Sequence, residues 1–177
     1  MLIHLSLRSR AAFAFLSLVF VSLHILWDYF HDGVPTHYLL HDPGMPGFSN
    51  WWSLLTLPVM TWILLYFLKQ RIKRNHGEQR SFIWIRGCFG LGFGILLSIV
   101  FMMGYETLNL GMILGVIILS FFLPLFRAEY ILGFLIGMEY VFGGVLPIVI
   151  SLLLISIFHI TNILRKGVIS LISKGDS

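Results

Sequence analysis

Long apolar runs separated by short polar stretches set the pattern of this 177-residue chain. The first run extends from Ala11 to about Phe30, and the second from Trp51 to Leu68. A third covers 82–104 and a fourth 108–126. The last, Glu129 to Leu164, is too long for one span, and Gly143, Gly144 and Pro147 offer a break. A bilayer-crossing helix needs roughly 20 residues to cover a ~30 Å hydrocarbon core. The pattern therefore predicts an all-α integral membrane protein, a polytopic bundle of about six transmembrane helices at 11–30, 51–68, 82–104, 108–126, 129–142 and 145–164. The whole chain, 1–177, reads as one transmembrane domain.

Local signals refine these elements. Asn50 is placed to cap the second helix, Trp51 and Trp52 suit a membrane interface, and Pro58 predicts a kink. Gly87, Gly90, Gly92 and Gly94 allow a close neighbour to the third helix. Pro35 predicts a short helix ending before Pro43. The first run is longer than a signal-peptide core and no small-residue cleavage site follows it, so it is read as a retained span.

Composition agrees with this reading. Apolar residues are 58% of the chain and charged residues 11%, against about 25% charged in soluble domains. Mean hydropathy is +0.90. The single cysteine, Cys88, excludes an internal disulfide or a cysteine metal cage and is read as a small packing residue.

The charges supply an orientation. The twelve Lys and Arg lie at Arg8 and Arg10, in and just after the polar stretch 69–80, at Arg127, and at Arg165, Lys166 and Lys174. Six spans with both termini cytoplasmic put all of them on or near the inner side, as the positive-inside rule requires. A five-span arrangement would send the last three outside. The stretch 69–80 becomes a basic cytoplasmic loop and 31–50 an extracytoplasmic His/Asp-rich loop. A pI near 9.5 then reflects topology and contact with anionic lipid. The basic loop has no interleaved aromatics, so no nucleic-acid partner is expected.

The candidate chemistry lies at the other end. Asp28 to Asp42 holds three Asp and three His with no Lys or Arg. His24, Asp28 and His31 share one helical face, and His37 and His41 sit one turn apart if their segment is helical. Glu106 and Glu139 fall at the same level of the predicted topology. Ionisable groups inside a span are costly and mark functional sites. Their unbalanced negative charge calls for protons, a histidinium or a metal cation.

Three functions fit this pattern. One is a metal-dependent hydrolase or transferase acting on a lipid or other amphipathic substrate. It would hold a divalent ion, zinc first, on His24, Asp28, His31, His37 and His41, with Asp32, Glu106 or Glu139 as general base. A cation or proton transporter is the second, although polar residues at mid-depth are few. The third is a non-catalytic subunit or assembly factor, partnered by another membrane protein or by copies of itself. His159 lies too far from the level of His24 to share a haem. The short loops point to a bacterial inner membrane, with the site facing outward.

Overall fold

The computed structural model describes residues 5–31, 33–38, 44–74 and 80–175, with side chains described within the last segment for 82–165. Six α-helices lie within them: α1 Leu7–His31, α2 Ser53–Arg74, α3 Arg80–Met102, α4 Glu106–Leu119, α5 Ala128–Phe142 and α6 Val145–Gly175. Between α1 and α2, β1 (Thr36–Tyr38) pairs antiparallel with β2 (Gly47–Ser49), with Thr36 opposite Ser49 and Tyr38 opposite Gly47. A single 3-10 turn, Asn50–Trp52, leads into α2.

Leu7–His31, Asn50–Arg74, Phe82–Met102 and Val145–Arg165 are long and apolar enough to cross a membrane. The fourth and fifth predicted spans are shorter than a bilayer core. α4 has 14 residues and α5 has 15, so each rises only about 21–22 Å. The run 108–126 stops being α-helical at Leu119. Beyond it, the Ser120 hydroxyl donates to the Ile117 carbonyl and Pro124 brings no N–H to a further turn. Gly143 ends α5 at φ +65°, a conformation that favours glycine.

Two further expectations change. The second helix continues through the basic stretch to Arg74, where Arg71, Lys73 and Arg74 oppose the negative end of its dipole. The helix predicted after Pro35 is a strand where it is described: the Pro35 carbonyl accepts from Asn50 N–H at 2.9 Å and His37 pairs across to Phe48. Asp32, His41 and Asp42 lie outside the described residues.

Packing is organised on α5. Val21, Ile25, Leu57, Leu64, Ile131 and Leu135 form one core joining α1, α2 and α5. Leu97, Leu125, Phe134, Met138, Leu154 and Phe158 form another, joining α3, α5 and α6. Glycines bring α3 and α5 together in parallel. A Cβ on Gly94 would stand 2.7 Å from the Phe134 carbonyl oxygen, and one on Gly137 2.9 Å from Ile95 N. Gly90 and Gly133 meet the backbones of Tyr130 and Gly87 still more closely. Cys88, by contrast, is exposed.

The two ends of the bundle differ in charge. At one, the buried Arg10 guanidinium lies 4.8 Å from the Trp62 ring centroid, a cation–π geometry. Arg71 makes two 2.8 Å bonds to Glu129, and Arg86 lies 3.3 Å from the same carboxylate. At the opposite end stand Asp28, Glu106 and Glu139. Large apolar side chains, among them Phe30, Phe89 and Leu153, are exposed along the helices, a surface suited to lipid rather than water.

Candidate functional site

The site is assembled near the acidic end from α1, α2 and α5. His24 lies seven residues before the end of α1, about 10 Å down the helix. Its Nδ1 is 3.2 Å from Glu139 Oε2, and its Nε2 is 3.5 Å from Asp28 Oδ2. The pairing with Asp28 follows from i,i+4 spacing. The pairing with Glu139 spans 115 residues of sequence and exists because α5 packs into the same core as α1. The imidazole therefore has a carboxylate at each ring nitrogen. A protonated imidazole in this position donates toward both carboxylates.

Burial is graded through the cluster. The Glu139 side chain is fully buried, His24 is 7% exposed and Asp28 17%. Glu139 Oε1 has no hydrogen-bond partner. Water consequently meets the cluster first at Asp28, while Glu139 is its most enclosed member. Tyr140 stacks on His24 with centroids 4.9 Å apart, fixing the ring plane from the exposed side.

A polar chain ties the cluster to the neighbouring turns. Asn50 Nδ2 donates to Asp28 Oδ2 at 3.5 Å. Ser53 Oγ donates to Asn50 Oδ1 at 2.6 Å and accepts from Gly144 N–H at 2.6 Å. The start of α2 is thus latched to the α5–α6 turn and to α1. A Cβ at Gly143 would strike the Asn50 amide oxygen and lie 3.2 Å from His37 Cδ2, so no side chain fits there. Asn50 and Ser53 are missing from the sequence-predicted site because nothing in their local sequence marks them as buried. Asn50 serves here through its side chain to Asp28, not as the predicted helix cap.

The other predicted site residues divide clearly. His24, Asp28 and Glu139 come together. His37 lies beside Gly143 and Asn50. His31 is exposed; its Nδ1 is 2.9 Å from the Trp27 carbonyl of its own helix, and its ring stacks on Trp27 at 3.9 Å. Glu106 is exposed in the first turn of α4, outside the cluster. Among the described residues no three His, Cys, Asp or Glu side chains converge where one ion could sit. The reason is visible at His24: its two nitrogens point away from each other and each faces a different carboxylate. Glu129 is held by Arg71 and Arg86.

Comparison with protein-family models, with curated proteins and with solved structures returns no match, so the geometry of the cluster is what the functional reading rests on.

Proposed function

We propose that this chain is a proton-coupled integral membrane protein of the transporter class, with Asp28, His24 and Glu139 as its proton-binding unit. One observation carries the reading: an imidazole enclosed in a span with a carboxylate at each ring nitrogen. Two carboxylates and an imidazole sharing protons in a low-dielectric setting titrate as a group, and intramembrane His/acid groups are the usual substance of proton relays. Asp28, the most exposed of the three, exchanges protons with water. His24 passes a proton by accepting at one nitrogen and releasing from the other. Glu139, with one oxygen unpartnered, is the inner acceptor.

The arginines orient the protein. The end carrying Arg10, Arg71, Arg86, Arg127 and Arg165 faces the cytoplasm, and the His24 cluster opens toward the extracytoplasmic side of a bacterial inner membrane. The zinc-dependent hydrolase is the second reading. It would need a third ligand to join His24 and Asp28, and His37, beside Asn50 and Gly143, is the described residue nearest to that role.

The test is proton entry into proteoliposomes that carry a trapped pH indicator, under an inward proton gradient with the membrane potential clamped. Wild type is expected to acidify the lumen faster than empty vesicles. His24→Ala and Glu139→Gln abolish the difference, and Glu106→Gln retains it. Wild type indistinguishable from empty vesicles overturns the proposal.

A further inference from the structure

A second feature lies further along α5, toward the basic end. α2 and α6 stand apart there and α5 floors the gap, leaving a cavity of about 430 Å³. Its walls include Ile63, Phe67, Ile148 and Leu152, with Leu135 in the floor, and Arg71 and Arg127 line one end. Apart from these arginines and Ser151, the lining is apolar. From Met60 to Arg71 on α2, both lining residues, the groove runs about 16 Å at helical rise. One leaflet of a ~30 Å hydrocarbon core has about that depth. The arginines thus stand at one headgroup level and the apolar trough ends near the bilayer midplane.

Charge selects among lipids. Glu129 contributes one carboxylate, to which Arg71 and Arg86 are both bonded. Arg127 adds a third guanidinium at the groove's end, so among the described residues three guanidinium groups stand here with one carboxylate. A neighbouring cavity of about 280 Å³ between α3, α4 and α6 is lined without a charged residue and offers no such selection. From the leaflet-length apolar trough and its cationic end we infer that the α2–α5–α6 groove is a binding site for one anionic phospholipid. One acyl chain lies along α5, and the headgroup phosphate meets Arg127 and the outer edge of the Arg71–Glu129 pair.

The test is native mass spectrometry of the full chain in detergent. Equimolar phosphatidylglycerol and phosphatidylcholine of identical chains are offered, with glycerol 3-phosphate as the chainless control. One phosphatidylglycerol is expected to be retained severalfold over phosphatidylcholine, and glycerol phosphate not at all. Arg127→Gln should cut the preference about fivefold, the value of one basic residue at a membrane surface. Leu152→Trp, at a 58% exposed wall position, should reduce retention of both lipids by filling the trough. Equal retention of the two lipids by wild type overturns the inference, as does an unchanged preference in Arg127→Gln. Unchanged retention in Leu152→Trp does so too, because the headgroup would then be held without the groove. The readout is independent of proton movement, so its failure and that of the proton unit are distinguishable.

Discussion

The His24–Glu139 pair makes a quantitative prediction about stability. At 3.2 Å and an effective dielectric of about 20, two opposite unit charges attract by about 5 kcal/mol. Desolvation of both groups offsets much of that. The mutational cost is set by what each substitution leaves behind. His24→Ala leaves two carboxylates with no cation between them. Glu139, already lacking a partner at Oε1, then loses the partner of Oε2 as well, and the expected loss is about 2–4 kcal/mol, near the lower end for breaking a buried pair. Glu139→Gln leaves His24 with Asp28 and should cost less, about 1–2 kcal/mol. The double variant should be less destabilised than the sum by about 1–3 kcal/mol, the coupling of residues in one network. Reversible unfolding in mixed detergent micelles at neutral pH measures all four corners of the cycle. Additivity within about 0.5 kcal/mol, or a larger loss for Glu139→Gln than for His24→Ala, would refute this account of the pair.

Other predictions concern the frame and the chemistry. Gly90→Ala or Gly133→Ala places a Cβ against rigid backbone of the partner helix and should cost about 1–3 kcal/mol by overpacking. Gly111→Ala and Gly115→Ala on α4 meet open space and should be neutral or stabilising by up to about 1 kcal/mol, so equal melting temperatures in the two sets would contradict the packing described. Glu129→Ala strips the shared anion from two arginines whose side chains are each 20% exposed. It should destabilise by about 2–3 kcal/mol, somewhat below the loss for a fully buried pair, whereas Arg74→Ala should change little in the same unfolding assay. Elemental analysis after chelator-free purification should find substoichiometric zinc that His24→Ala does not alter. Stoichiometric zinc lost in that variant would instead favour the hydrolase.

The helices were legible in the sequence because apolar runs and their breaks are local. α1, α2, α3 and α6 follow from the run lengths, and the Gly143–Gly144 break stands where the two glycines and Pro147 predict it. What failed locally did so for tertiary reasons. α2 extends into the basic stretch because Arg71 has a distant partner in Glu129, and neither the local charge nor the hydropathy of residues 69–74 records that partner. The strand at Thr36–Tyr38 is three residues long, too short for an alternating pattern, and depends on pairing with Gly47–Ser49. At the site, His24 and Asp28 are readable as an i,i+4 pair, and Glu139 as an acid without a local partner. That these meet, while His31 folds back onto Trp27, depends on helix rotation, which spacing alone leaves open. Asn50 and Ser53 read as ordinary helix-start residues, and only the approach of Gly144 makes them part of the latch.

The measurement that tests the central claim most directly is pH-difference infrared spectroscopy of the reconstituted protein, following the carbonyl stretch of protonated carboxyl groups. Wild type should show a carboxyl band that appears and disappears reversibly with pH. Glu139→Gln should remove it or move it to Asp28, and His24→Ala should shift the pH at which it appears. No titrating carboxyl band in wild type, or a band indifferent to both substitutions, would contradict a proton-binding unit at His24, Asp28 and Glu139.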